Sequence, residues 1–290
     1  MNSPLISLQR VAVAAHPQLA KSLKEAVRIS NSLRKHAIQV TYSYLNNEGL
    51  QGKVASGEVD LLIAIGGDGS MLRAGHLAGP AGVPILGINM GRFGFLTEIL
   101  TNQWNEILPR LLTGDYRLET RMMLRTEQWR GDERIGAWDV LNEVAVGRGQ
   151  MMRPVRLTAR VDGRFLTTYV ADVLIAATPT GSTAYALAAG GPILPPELRN
   201  ILLIPVAPHL SIDRAIVLSE GSTVEISVNS EYQAELSIDG QTPVGVNDGD
   251  RIEACASEHT VRFVRFQDPG YFYRNLTPHM NQNPSTGNQR

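Results

Sequence analysis

The chain has one cysteine, Cys255, in 290 residues. A single thiol excludes an internal disulfide framework and a cysteine-built zinc site, and in a strand-like segment it reads as a buried, inert side chain. No apolar segment approaches the ~20 residues that span a bilayer. The N-terminus also lacks a basic flank followed by a long apolar run. A secreted or membrane-spanning protein is not expected, and a reducing cytoplasm fits. Excess charge is missing too: 27 Lys and Arg against 28 Asp and Glu leave a formal net charge of −1. Nothing electrostatic therefore calls for nucleic acid or an anionic membrane. His16, His36, His76, His209, His259 and His279 show no metal-ligand spacing.

The remaining composition is that of an ordinary globular protein, with 43% hydrophobic and 19% charged residues, and the length suits two domains. Leu61 to Ile65 is a continuous apolar run, the pattern of a strand covered on both faces in a parallel sheet. Strand-like segments Gln9 to Ala15, Ile38 to Tyr44 and Val83 to Met90, with helical spacing over Pro17 to His36, complete a β-α-β order. The segment between Tyr44 and Leu61 reads as a polar loop, and Trp104 to Leu112 as a helix ended by Gly114. Residues 1–116 are thus expected to form a Rossmann-like α/β domain with a parallel sheet, its ligand outside the carboxyl ends of the strands.

After Tyr116 the texture changes to short strand-like runs parted by turns, among them Arg117 to Arg130, Ala137 to Gly147, Val155 to Val161, Arg251 to Cys255 and Thr260 to Phe266. Arg160-Val-Asp-Gly-Arg164 and Ile238-Asp-Gly-Gln241 carry Asp-Gly hairpin signals. An all-β-rich, sandwich-like domain is expected over 117–264. One helix, Ser182 to Ala189, interrupts it. Residues 265–276 form a segment that packs back on the first domain, and 277–290 read as a disordered tail.

Several stretches carry residues suited to chemistry. Gly66-Gly-Asp-Gly69 follows the apolar strand, and its glycines allow unusual backbone and close ligand approach, while Ser70 can cap the next helix. Free N–H groups there suit a phosphate. Asp68 is out of place in a phosphate loop unless a metal intervenes or the carboxylate acts on a hydroxyl; an ordinary tight turn is the alternative. Phe93 and Phe95 could stack on a base or anchor the next helix. Thr178-Pro-Thr-Gly-Ser-Thr-Ala-Tyr185 places four hydroxyls before Tyr185 at a helix start, which suits a sugar or phosphate. Asn142-Glu143 interrupts the apolar run Val140 to Val146, either to reach a ligand or as a wet edge position.

In this order and at these separations, Gly66-Gly-Asp-Gly69, Asn142-Glu143, Thr178 to Tyr185 and Gly190-Gly-Pro192 resemble the NAD kinase family. Gly87 to Glu98, Pro208-His209 and Asp239-Gly-Gln241 are similar too, so the resemblance runs from about Val11 to Leu276. It implies NAD bound between an α/β domain and a β-rich domain, and phosphorylation of the adenosine ribose 2′-hydroxyl to give NADP. Asp68 matches the family's general base. Asn142, Glu143, Asp172, Thr180, Thr183, Ala184, Tyr185 and Ala188 match positions that hold the dinucleotide. Arg153 lies where the family has an arginine near the phosphates, and Gln241 matches a ligand contact. Gly67, Gly69, Arg73 and Phe93 complete the expected binding set, Arg73 for the donor phosphate. The family also implies ATP or polyphosphate as donor, Mg²⁺ arriving with the triphosphate, and a homodimer or homotetramer in the cytoplasm. Lipid and sugar kinases use a similar glycine turn, but not the threonine-rich segment.

Overall fold

The structure, a computed structural model, describes residues 6–91, 94–149, 153–209, 212–230 and 232–281. The chain forms two compact units, Met1–Thr120 with Val261–Arg290, and Arg121–Thr260. The boundaries expected at 116/117 and 264/265 thus move to 120/121 and 260/261, because each falls inside a long strand rather than at a linker.

The first unit contains β1 (Arg10–Ala15), α1 (Ala20–Arg34), β2 (Gln39–Tyr44), α2 (Glu48–Ala55), β3 (Leu61–Ile65), α3 (Asp68–Ala78), β4 (Ile85–Asn89), β5 (Ile99–Leu100) and α4 (Trp104–Thr113). Its strands pair in parallel in the order β2-β1-β3-β4, with β5 on β4. All five residues of β3 and of β4 are buried, as both faces of the sheet are covered. α1 turns Ser22, Ala26, Ile29 and Leu33 inward, while Leu19 is outside the helix and exposed; small side chains let the helix lie close to the sheet. α2 replaces the expected polar loop: Asn47 caps it by accepting the Leu50 N–H at 3.0 Å, and Leu50 and Val54 are buried one turn apart. α4 ends on Gly114, left-handed at φ 76°.

The second unit is a β-sandwich. It comprises the greater part of β6 (Arg117–Arg130), then β7 (Glu133–Val140), β8 (Glu143–Arg148), β9 (Val155–Val161), β10 (Arg164–Ala171), β11 (Val173–Ala177), α5 (Tyr185–Ala188), β12 (Asn200–Val206), β13 (Ile216–Ser219), β14 (Val224–Val228), β15 (Ala234–Ile238), β16 (Val244–Val246) and most of β17 (Arg251–Arg265). One sheet runs β13-β12-β11-β8-β15-β16, and the facing strands run β10-β9-β14-β17, with β6 between β17 and β7. Alternate residues of both sheets, such as Val144, Val146, Leu157, Tyr169, Ile201 and Leu236, close one dry core. Asp162 (φ 51°) and Gly163 (φ 74°) form the two-residue turn between β9 and β10, where Val161 opposes Arg164.

Three expected elements change here. The run Ala137 to Gly147 is two strands broken at Leu141-Asn142. Arg251 to Cys255 and Thr260 to Phe266 are one continuous strand, β17. The single helix Ser182 to Ala189 is a 3-10 turn, Gly181–Thr183, and a one-turn α5, separated by Ala184 at φ −107°, ψ −122°.

β17 then completes the first unit. Phe263 pairs with Ile85 of β4, and Val264 and Phe266 join the first unit's core. Buried Arg265 holds Glu119 at 3.0 Å and donates to the Leu96 carbonyl at 2.8 Å. α6 (Tyr271–Asn281) follows, with Phe272 6.4 Å from Phe95. The helix runs five residues into the stretch expected to be tail, and 282–290 lie outside the described residues.

Candidate functional site

In the first unit the carboxyl ends of β1, β3 and β4 carry His16, the glycine turn and the Asn89 loop. None of Gly66, Gly67 and Gly69 is left-handed, so the expectation of unusual backbone is corrected. Gly66 is required by space, since a Cβ would lie 2.1 Å from Ser70 Oγ; Gly67 and Gly69 would meet nothing within 4 Å. α3 starts at Asp68 with Gly67 as N-cap and no side-chain cap. Ser70 is therefore not the cap: it sits inside the first turn, 3% exposed, and its Oγ has no hydrogen-bond partner.

The Asp68 carboxylate accepts the Phe95 N–H at 2.8 Å on Oδ2 and the Leu96 N–H at 3.1 Å on Oδ1. Those bonds fix the orientation of the carboxylate. The loop that supplies them closes only on glycine, because a Cβ at Gly94 would lie 1.9 Å from Asp68 Oδ1. Asn89 ties the same loop, donating to Thr97 Oγ1 at 2.9 Å and accepting from the Gly91 N–H at 2.8 Å. Arg73 lies further along α3. Burial first, then the Arg73 charge, push the His16 imidazole below its usual range. Phe93 lies outside the described residues.

In the second unit the break between β7 and β8 presents Asn142 and Glu143. The Asp239 carboxylate accepts the N–H groups of Leu141 (2.7 Å), Asn142 (2.7 Å) and Glu143 (2.8 Å). The Leu141 carbonyl accepts the Thr178 hydroxyl at 2.6 Å, and the Asn142 carbonyl accepts the Thr178 N–H at 2.8 Å. Thr178 Oγ1 in turn takes the Gly181 N–H at 3.1 Å. Gly181 packs on the Asn142 backbone so closely that a Cβ would lie 2.1 Å from its carbonyl oxygen. Glu143 is 8% exposed, and its Oε2 has no partner. Burial, and then the negative charge of Asp239, push its carboxyl up to about 8.

Around this knot, Arg121, itself buried, donates to Thr180 Oγ1 at 3.2 Å, and Thr183 Oγ1 donates to the Thr180 carbonyl at 3.0 Å. Tyr185 is exposed, as are Ala188 and Gln241. Asp172 lies 3.4 Å from Arg148, and Arg153 is held on Tyr232, donating to its hydroxyl at 2.7 Å with its guanidinium 5.2 Å from the ring centre. The structure thus joins Asn142 to the hydroxyl-rich segment through Thr178 and Gly181, with Thr180, Thr183, Ala184 and Tyr185 next in the chain, and places Asp172 and Arg153 in separate ion-pair and stacking contacts. Gly94, Arg121 and Asp239 escaped the sequence reading. Gly94 and Asp239 stood in segments already singled out, but an Asp-Gly pair reads as a turn before it reads as an anion that collects N–H groups.

Comparison with known proteins assigns the chain. The family model for the ATP-NAD kinase N-terminal domain matches residues 5–116, and that for the ATP-NAD kinase C-terminal domain matches 141–266. The NAD kinase of Moorella thermoacetica is 37% identical over 272 residues, 91% of this chain and 87% of its own. That of Chloroflexus aurantiacus is 34% identical over 269 residues, covering 93% and 97%. Among solved structures, the NAD kinase of Archaeoglobus fulgidus in complex with ATP shares 28% identity at a TM-score of 0.74, over 94% of this chain and 99% of its own. Yeast NADH kinase complexed with NADH matches in fold, with a TM-score of 0.81 at 23% identity, over 99% and 90%. With both family domains matched in order and the glycine turn, the Asn-Glu pair and the hydroxyl-rich segment in place, the chain belongs to the NAD kinase family.

Proposed function

We propose that the chain transfers the terminal phosphate of ATP to the 2′-hydroxyl of the adenosine ribose of NAD, giving NADP and ADP. Asp68 carries the reading: a carboxylate in a glycine turn at a helix start repels phosphate, yet two loop N–H groups and Gly94 hold it in one orientation. As the ribose oxygen bonds to the γ-phosphorus and the bond from that phosphorus to the ADP oxygen breaks, Asp68 takes the hydroxyl proton. The open backbone at Gly67 and Gly69, the start of α3 and Arg73 suit the donor phosphates.

Asn142, Glu143, Asp172, Thr180, Thr183, Ala184, Tyr185, Ala188 and Gln241 hold the dinucleotide, with Arg153 near a phosphate. At neutral pH the Glu143 carboxyl keeps its proton, so it both donates to and accepts from a ribose diol. The donor triphosphate would bring Mg²⁺ with it, a charge that would offset that of the phosphates. Among the described residues no group of three or more His, Cys, Asp and Glu side chains could hold a metal. A homodimer or homotetramer in the cytoplasm completes the proposal; exposed Phe165 and Val217 on the edge strands β10 and β13 favour self-association.

The test is NADP formation from NAD with ATP and Mg²⁺ in one tube and polyphosphate in another. NADP in the ATP tube is the expected result. Silence in both, with NAD binding intact by calorimetry, overturns the transfer and leaves a dinucleotide sensor.

A further inference from the structure

One carboxylate joins the segments of the second unit that the proposed function assigns to NAD. Asp239 stands in the β15–β16 connection with a left-handed backbone, φ 47°, followed by Gly240 at φ 67°. An Asp-Gly pair tolerates that backbone in any exposed turn. Here the aspartate side chain turns inward and collects three successive N–H groups, Oδ2 taking Leu141 and Oδ1 taking Asn142 and Glu143. The Asp239 N–H returns a bond to the Glu143 carbonyl at 3.0 Å. Consecutive N–H groups cannot converge on one acceptor in an extended strand, where they alternate sides. The carboxylate therefore holds open the break between β7 and β8, and with it the directions of the Asn142 and Glu143 side chains.

The same break seats the hydroxyl-rich segment. With their N–H groups on Asp239, Leu141 and Asn142 aim their carbonyls at the Thr178 hydroxyl and N–H, and Thr178 Oγ1 fixes the Gly181 N–H. That chain continues into the turn, where the Ser182 N–H reaches the Thr178 carbonyl at 3.1 Å and Thr183 Oγ1 the Thr180 carbonyl at 3.0 Å, just before Tyr185. We infer that Asp239 is a positioning residue for NAD: touching no substrate, it sets the Asn142-Glu143 pair and, through Thr178, the threonine-rich segment in their binding geometry. The inference rests on the reading that these segments hold NAD. An asparagine would keep one acceptor oxygen for two of the N–H groups and turn an NH₂ group toward the third, while alanine would leave all three unmatched.

The experiment compares the wild type with Asp239→Asn, Asp239→Ala, Thr178→Val and Thr178→Ser, measuring kcat and KM for NAD and for ATP separately. NADP formation by the wild type tests the functional reading itself; its absence overturns that reading and with it this inference. Given an active wild type, the expected result is a rise in KM for NAD of tenfold or more in Asp239→Ala, a smaller rise in Asp239→Asn, and a kcat within threefold. KM for ATP stays unchanged. Thr178→Val repeats the NAD defect and Thr178→Ser, which keeps the hydroxyl, restores it. A merely structural aspartate would lower stability without this split, so an unchanged KM for NAD in the folded variants overturns the inference. Should Asp239→Ala fail to fold, Asp239→Asn and the Thr178 pair decide it by the same criterion.

Discussion

Asp68 is held by two bonds and by the missing side chain at Gly94, which separates its chemistry from its placement. Asp68→Asn keeps the shape and loses the proposed base: kcat is expected to fall by ~10²–10⁴-fold while calorimetric NAD affinity changes little. Gly94→Ala keeps the base and displaces it. A Cβ at 1.9 Å from Oδ1 forces the loop or the carboxylate to move, and a displacement on that scale is expected to cost ~10² in kcat. If Gly94→Ala retains full turnover, the loop does not position Asp68.

Glu143 makes a pH prediction with a definite sign. Its carboxyl ionises from about 4.5 in the unfolded chain and near 8 in the folded one. Between those values the folded state binds the proton more tightly, so stability falls as pH rises from 4.5 towards 8 and levels off above. At ~1.4 kcal/mol per unit, the loss is on the order of a few kcal/mol. Glu143→Gln, uncharged throughout, is expected to flatten that slope in urea unfolding at pH 5 and pH 8.5, and to be the more stable protein at the higher pH. The sequence showed this pair as polar residues in an apolar run. The three N–H groups on Asp239 were hidden because they join positions 96 to 98 residues apart.

At the scale of elements, local pattern was legible where one face or both are buried, and failed where tertiary contacts decide. β3 fell where its apolar run placed it and β6 where a strand-like run did, whereas α2 was missed although Asn47 and the Leu50–Val54 spacing announce a capped helix. β17 looked like two strands because its middle, Ser257 to Thr260, is polar: Ser257 donates to Asp139 at 2.7 Å and His259 lies 2.9 Å from the same carboxylate. Its end holds the least visible feature of the first unit, the buried pair Arg265 and Glu119. Arg265→Met removes the buried one of two arginines on the Glu119 carboxylate, Arg117 at 3.0 Å being the other, and is expected to cost ~1–3 kcal/mol in unfolding free energy. Pairing it with Glu119→Gln should return much of that loss. The single variant also frees the Leu96 carbonyl, next to an N–H that orients Asp68, so its kcat should drop as well. A variant as stable as the wild type would show that the pair carries no weight.

For the whole molecule, the two units differ in how the chain builds them. The second is one uninterrupted stretch, Arg121–Thr260, with its own core. Expressed alone, it is expected to unfold cooperatively as a β protein. The first needs Val261 onward: removing it deletes Phe263, Val264 and Phe266 from the core and the Arg265 guanidinium from Glu119. A large aromatic removed from a core costs ~3–5 kcal/mol, so losing these together exceeds much of the ~5–15 kcal/mol that stabilises a domain. A chain cut after Thr260 should therefore keep the second unit's transition and lose the first's, measured by urea unfolding followed by hydrogen exchange at β1 and β3.

The late arrival of β17 in the first unit reverses the usual order of events at the ribosome. Domains generally fold in the order in which they are made. Here residues 1–120 emerge first and wait, exposing the flank of β4, while the β-sandwich emerges complete and can close. Only when Phe263 to Phe266 appear does the parallel sheet gain its last strand and the Asp68 loop its tie to Arg265. A polypeptide released early thus carries the sandwich assigned to the dinucleotide without a finished phosphotransfer centre. Such fragments are expected to hold NAD and leave it unaltered.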